Sequence, residues 1–322
     1  MSGPTTISAL GLQLFSVASL QSQLSNLNLL NEQLGSSVQH NDLTDYSPLD
    51  SENIINFQAA ITQRQAYVSS MNTVNARLGV YDTTLGDLSN IAAQVSQLAT
   101  QNPSQDSSNT GVIQQQVLAF MNQAVDDLNQ KVGNRYIYAG TRYSTKPVDL
   151  NSVLTNLTPS ASLVTPNTLP SYDSQQPGTS AAAWTKDTVN IDAGNTLTYG
   201  VTSTQDGFQQ LIAGMQFINA ATQTGTSAAT YQSDMSQAAT LLNSALQNIQ
   251  IYNAGVAEAT NTIKQETDTQ NADISSLQQQ IGNIQNVDLT KVATQINLLQ
   301  TQLQASYSAT ATITQDSILK YL

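Results

Sequence analysis

The 322-residue sequence has no cysteine and a single histidine, His40. Thiol nucleophiles, thiolate metal sites and chemistry that needs two histidines are therefore excluded. Lack of cysteine does not fix the compartment, because it suits both a reducing cytosol and an exported protein that avoids stray disulfides. Charge is scarce as well: 10% of residues are Asp, Glu, Lys or Arg, against ~25% in ordinary domains. With 22 acidic and 10 basic residues the net charge is -12, which repels nucleic acid. Leu10 to Leu14 is too short and broken for a membrane span, and Met1 to Leu20 lacks the basic start of a signal peptide. No nucleic-acid partner, no membrane insertion and no cleaved signal peptide are expected.

What remains is a chain rich in Gln, Asn, Ser and Thr with long helical periodicities. Leu289, Val292, Ile296, Leu299 and Leu303 advance by threes and fours, a heptad seam that continues more weakly to Ile313. At 1.5 Å per residue this stretch makes a rod of ~50 Å, which requires a companion helix. Leu10, Leu14, Val17, Leu24 and Leu27 form a comparable stripe near the N-terminus, ended by the Gly, Asn, Asp and Pro of Gly35 to Pro48. A long helix follows, with Ser51 as its expected cap and Ile54, Ile61, Val68, Met71, Leu78, Leu85, Leu88, Ala92 and Val95 on one side, up to Asn102-Pro103. Gly111 to Val132 carries Ile113, Val117, Phe120, Ala124 and Leu128 on one face, with Gly133-Asn134 as the expected stop.

Composition then changes. Tyr143 to Thr188 holds Pro147, Pro159, Pro166, Pro170, Pro177 and the lone Trp184, without helical periodicity. Val189 and Ile191 alternate with polar residues, Asp192-Ala193-Gly194-Asn195 supplies a turn, and Leu197, Tyr199 and Val201 alternate again, which predicts a β-hairpin. Asp206 to Ala221 reads as an amphipathic helix, and Tyr231 to Ile284 as one long helix with soft places at Gly255 and Glu266 to Asn271. The expected fold is mainly α: an elongated helical bundle or coiled coil of N- and C-terminal helices, with a Pro-rich, β-containing central insertion. Expected divisions are 1-45 with 286-322 as a terminal coiled-coil assembly domain, 46-142 with 205-285 as a helical rod, and 143-204 as an outward-facing insertion.

Three stretches carry a resemblance. Gly133-Asn134-Arg135-Tyr136-Ile137-Tyr138-Ala139-Gly140 is similar to the signature found where the N-terminal helices of flagellar junction proteins give way to the outer domain. Thr198-Tyr199-Gly200-Val201 and Asp206-Gly207-Phe208 resemble the return from it, and Asp288-Leu289, Leu303 to Tyr307 and Ser317 to Leu322 resemble the tail. The chain thus resembles the bacterial flagellin superfamily, most closely its hook-filament junction proteins (hook-associated protein 3). One departure stands at Leu34 to Asp50, where the family's basic residue after the first helix is missing.

The resemblance implies a structural protein of the extracellular flagellum, exported through the flagellar type III apparatus with a chaperone. It implies helical assembly with copies of itself, beside a neighbouring hook-associated protein and flagellin. Leu10, Leu14, Val17, Leu24, Leu289, Val292, Ile296, Leu299, Leu303 and Ile313 are the expected seams between helices and subunits, and Gly133, Arg135, Tyr136, Tyr138 and Gly140 the signature segment. Alternatives are a flagellin that builds the filament itself and, more remotely, a trimeric extracellular fibre or adhesin.

No residue set points to catalysis, a cofactor or a metal. His40 reads as an exposed loop residue, and Asp42, Asp45, Asp50 and Glu52 lack the spacing of a calcium loop. Asp126 and Asp127 point about 100° apart on a helix, which suits surface charge rather than a shared proton. Arg135 and Arg142 suit ion pairs within or between subunits, and Tyr136 and Tyr138, two apart, suit one packed face of an extended segment. A glycan hydrolase needs two apposed carboxylates, and Asp173, Asp187 and Asp192 are scattered. Asn156-Leu157-Thr158 fits the glycosylation pattern at chance frequency.

Overall fold

A computed structural model describes residues 9-106, 108-150, 153 and 185-319. The elements run α1 (Ala9–Ser36), α2 (Pro48–Gln101), α3 (Thr110–Leu128), β1 (Lys131–Val132), β2 (Arg135–Tyr136), β3 (Asp187–Asp192), β4 (Asn195–Tyr199), α4 (Asp206–Ala221), α5 (Ala228–Gln285) and α6 (Leu289–Leu319). Helix dominates, and the only sheets among the described residues are the antiparallel pairs β1-β2 and β3-β4. The chain divides into two compact units, Met1–Gln63 with Asp273–Leu322 and Arg64–Ala272. None of its described helices is long and apolar enough to cross a membrane.

In the unit Arg64–Ala272 the heptad pattern is carried to completion. Met71, Val74, Leu78, Tyr81, Leu85, Leu88, Ala92 and Val95 advance strictly by threes and fours along α2, and all are buried. Tyr231, Met235, Ala238, Leu242, Ala245, Ile249, Val256, Ala259 and Ile263 continue the pattern along α5, with half-buried Tyr252 between Ile249 and Val256. Helix α3 contributes Ile113, Val117, Met121, Ala124 and Leu128, with Met121 taking the place expected for Phe120, which is half-buried.

Helix α4 departs from expectation. Instead of one apolar face it is buried on every side from Gly207 to Asn219, polar residues included. Such burial is tolerable only when each amide finds a partner. Gln209 donates to the Thr204 carbonyl at 2.8 Å, Gln216 to the Val153 carbonyl at 2.7 Å, and Gln210 and Asn219 accept from Asn248 at 2.9 Å and Gln114 at 3.3 Å. Close approach also requires glycine here: a Cβ on Gly214 would stand 2.7 Å from Leu242 Cγ.

Two helix boundaries correct the sequence reading. Helix α2 begins at Pro48, whose missing N–H suits the first turn. Its cap is Ser47, whose hydroxyl accepts from the Asp50 N–H at 3.2 Å, while Ser51 donates to the Leu43 carbonyl at 2.6 Å. Helix α3 ends at Leu128, not at Val132, because Asn129 leaves it to bond the Val148 backbone through both amide atoms. Gly133-Asn134 turns the β1-β2 hairpin instead, with Gly133 at φ 61°. The places expected to be soft in α5 are continuous helix.

In the unit made of the chain's two ends, α1 and α6 run antiparallel. Ser16 meets Thr310 at 3.2 Å, Ser306 donates to Gln23 at 3.4 Å, and Val38 bridges Asn286. The turn between α1 and α2 is stapled to the α5-α6 turn by Gln39 N–H to the Gln285 carbonyl at 2.6 Å and Val287 N–H to the Ser37 carbonyl at 3.2 Å. Asp288 caps α6, accepting from the N–H groups of Thr290 and Lys291 at 2.9 and 3.1 Å.

Candidate functional site

The signature segment packs as the place where the chain leaves and re-enters the helical unit. Tyr138 is fully buried, and its hydroxyl lies 2.6 Å from Thr84 on α2. Tyr81, also on α2, donates to the Ile137 carbonyl on the way out and sits 3.2 Å from the Val201 carbonyl on the way back. The Ser203 N–H donates to the Tyr138 carbonyl at 2.9 Å, and Arg77 donates to the Tyr199 hydroxyl at 2.8 Å. Edge-to-face contacts at 5.0 Å join Tyr81 to Tyr138 and at 5.5 Å join Tyr138 to Phe208, which meets Tyr252 of α5 at 5.5 Å. Burial pushes the Tyr81 and Tyr138 hydroxyls far above their ordinary pKa, so both stay neutral.

Glycines and one ion pair complete this stitch. Gly140 stands at φ 55°, ψ -132°, and a Cβ there would lie 2.1 Å from the Thr185 carbonyl oxygen. Gly200, at φ 85°, leaves room for the Tyr81 hydroxyl, which would be 2.8 Å from a Cβ. Arg135 pairs with Asp187 of β3, approaches the Gly140 carbonyl at 3.4 Å and lies over the Tyr143 ring at 4.8 Å. Asp187, expected as a scattered acid, is thus the anchor of the returning strand. Tyr136 and Tyr138 do not share a face: Tyr136 is half-buried in β2 under the Lys131 amine at 4.2 Å, whereas Tyr138 turns into the core. The chain leaves extended geometry after Tyr136, which breaks the two-residue alternation.

The seam residues distribute over two faces. On α6, Val292, Ile296 and Leu303 are buried, Leu299 is half-buried and Leu289 is exposed. On α1, Leu14, Val17 and Leu24 are all exposed, Leu14 to 64%. The half-buried residues of α1 are Ser16, Ser19, Leu20, Gln23, Leu27, Leu30 and Gln33, so apolar side chains are divided between the inward row and the exposed remainder of the helix. Residues 9-13 and 313-319 lie in helices, but their side chains, including those of Leu10 and Ile313, are outside the description.

Sequence reasoning missed Phe15, 75% exposed, together with the exposed Leu29, Leu34, Leu298 and Tyr307 of α1 and α6. A signal existed: Phe15 and Leu298 sit one residue from Leu14 and Leu299, about 100° round the helix, so the apolar pattern has a second face.

Among the described residues, the remaining candidates are held by local contacts. His40 is half-buried, not exposed, with Tyr46 edge-on at 5.0 Å and donating to the His40 carbonyl at 2.8 Å. Asp42 accepts from the Thr44 N–H at 2.9 Å, and that bond holds its carboxyl below the usual range. Asp127 is more than surface charge: burial, with Asp87 and Asp126 nearby, raises its carboxyl to about 6. Asp192 accepts from the Ala193 N–H at 2.7 Å. Asn156-Leu157-Thr158, Asp173 and Trp184 lie outside the described residues. Among the described residues no group of three or more His, Asp or Glu could hold a metal.

Residues 239–322 match the family described as the bacterial flagellin C-terminal helical region. That stretch comprises most of α5 and all of α6, the helix paired with α1. Among solved structures, the chain is similar to one described as a flagellar hook-associated protein from Vibrio parahaemolyticus, with TM-score 0.55 and 12% identity over 75% of this chain and 100% of that one. It also matches flagellar hook-associated protein-3 from Legionella pneumophila, with TM-score 0.41 and 16% identity over 73% of this chain and 98% of that one. No curated protein sequence matches the chain. The Vibrio structure shares this fold, and the C-terminal helices are flagellin-like in sequence.

Proposed function

We propose that this chain, a bacterial flagellin superfamily protein, is a structural component of the flagellum: a hook-filament junction protein that assembles helically through its terminal helices. The carrying observation is that the flagellin-like C-terminal helix pairs with α1, and α1 leaves Leu14, Phe15, Val17, Leu24, Leu29 and Leu34 exposed. Large apolar side chains gain about 1.5 to 3 kcal/mol each on full burial. Neighbouring copies that cover this face recover that free energy, so burial drives assembly. The two ends of one chain already pair within the subunit, an arrangement that a trimeric fibre does not need.

In this reading the tyrosine stitch gives the insertion a fixed root, and the chain does no catalysis. Its neighbours are copies of itself, another hook-associated protein and flagellin. It reaches the cell exterior through the flagellar export apparatus, with a chaperone. The flagellin reading remains the second one, because the matched family is that of flagellin itself. Quantitative peptide mass spectrometry of purified flagella separates them. A junction protein is far less abundant than the hook subunit, a filament subunit far more abundant, and absence from flagella overturns both.

A further inference from the structure

The seam of α5 changes character toward one end of the unit Arg64–Ala272. Its strictly apolar row runs to Ile263, and residues 264-271 include no apolar side chain. The helical frame nevertheless continues, by four to Thr267 and by three to Gln270. Thr267 donates to Met71 Sδ at 3.7 Å. Gln270 is 1% exposed and is the one buried polar side chain of α5.

This glutamine joins three elements. Its oxygen accepts from the Arg64 guanidinium of α2 at 2.7 Å, and its nitrogen donates at 3.2 Å both to the Ile191 carbonyl of β3 and to Glu266 one turn back. The Ile191 carbonyl is turned to it at a bulge: the β3-β4 register passes from Asn190 and Thr196 to Asp192 and Asn195, leaving Ile191 without a cross-strand partner.

Along the hairpin the hold on the helices weakens from root to tip. At the root Val189 and Tyr199 are buried, Arg77 donates to the Tyr199 hydroxyl at 2.8 Å, and Asp187 pairs with Arg135. Toward the turn Ile191 and Leu197 are half-buried against the core and residues 193-196 are exposed. Among the described residues, the Gln270 amide makes the only hydrogen bond between residues 190-197 and a helix.

We propose that the β3-β4 hairpin is a strap, hinged at its tyrosine root and latched at its tip by Gln270, whose tip leaves and regains the helices while the core of the unit stays folded. The inference goes beyond the assembly reading and does not depend on it. Hydrogen bonds between neutral groups stabilise only modestly, but a buried amide or carbonyl left unpaired is costly. The tip therefore has two favourable states: latched, with the Gln270 amide and the Ile191 carbonyl paired to each other, or open, with both in water. Intermediate positions leave one of them buried and unpaired.

The test follows amide hydrogen exchange of the full-length chain, by mass spectrometry of overlapping peptides at several low urea concentrations. After correction for intrinsic rates, residues 190-197 exchange about a hundredfold faster than residues 71-95. Low urea barely changes that fast exchange, because opening the tip exposes little surface, whereas exchange of residues 71-95 rises steeply with urea. Gln270→Met keeps the length of the side chain and removes its hydrogen bonds, so exchange of residues 190-197 rises about tenfold while residues 71-95 are unchanged. Gln270→Glu keeps an acceptor for Arg64 but loses the donor to the Ile191 carbonyl, and it releases the tip at least as far.

A tip whose exchange follows urea as steeply as the core does not open on its own, and that result overturns the inference. Equal protection of residues 190-197 in the wild type and both variants overturns the role of Gln270 as the latch. Loss of protection spread evenly over residues 190-197 and 71-95, or a Gln270→Met chain that fails to fold, makes this side chain part of the core and likewise overturns it.

Discussion

The two units of this chain use the same heptad grammar to opposite ends. In the unit Arg64–Ala272 the row from Met71 to Val95 is buried throughout, and aromatic contacts and short hydrogen bonds lock the root of the insertion to it. In the unit formed by the chain's ends, Val292, Ile296 and Leu303 are buried while Leu14, Phe15 and Leu298 face outward. A helix that leaves six large apolar side chains exposed is poorly explained by the stability of one subunit. The difference teaches that burial completed within one copy builds a scaffold, whereas burial left incomplete builds an interface.

Substitutions in the scaffold should have the largest effect on the isolated subunit. Phe208→Ala removes a fully buried ring that links Tyr138 to Tyr252, and should cost about 3 to 5 kcal/mol in chemical denaturation of the unit that holds it. Gly140→Ala forces a side chain into backbone space at a positive φ, at a cost of about 3 kcal/mol. A near-neutral result for both would erase the contrast between the units.

The interface should respond in the opposite manner. Leu14→Ser with Phe15→Ser should shift the melting of the free chain by under about 0.5 kcal/mol, the size typical of exposed positions, yet abolish incorporation into flagella. Val292→Ala, by contrast, should destabilise the terminal unit by about 1 to 2 kcal/mol. Equal loss of subunit stability in the two cases would mean that the outward row is already covered within one copy.

The smallest expected effect sharpens the account of the scaffold. The Asp127 carboxyl is raised to about 6 when folded, against an unfolded value near 3.8. The folded state therefore binds more protons in that window, and stability falls as pH rises from about 4 through about 6. After allowance for solvent screening, Asp127→Asn should add about 1 kcal/mol at pH 7 and flatten this part of the pH profile. A profile unchanged by the substitution would contradict this assignment to Asp127.

Much of the architecture was legible in the sequence. The hairpin turn Asp192-Ala193-Gly194-Asn195 and the helix Asp206–Ala221 lie where alternation and periodicity place them. The signature and the return segment, recognised apart, meet at Tyr138, Ser203 and Phe208. Hydrophobicity alone could not tell the inward row of α1 from the outward one, because Ser16 and Gln23 face their helix partner through hydrogen bonds. Nor could it see that α4 is buried all round, since Gln209, Gln210, Gln216 and Asn219 read as a solvated face until their partners from α3, α5 and the loops are in place. Ser47 and Ser51 are equally good caps by composition, and only the turn at Pro48 decides between them.

The central claim is that the exposed apolar side chains of α1 are left for other copies to cover. Hydrogen exchange of the free full-length chain, compared with the same chain in purified flagella, tests it most directly. The account predicts that peptides from α1 and α6 exchange readily in the free chain and gain protection of a hundredfold or more, equivalent to roughly 2.7 kcal/mol, on assembly, while Met71 to Val95 is protected in both. Equal protection of α1 in the free and assembled states would contradict it.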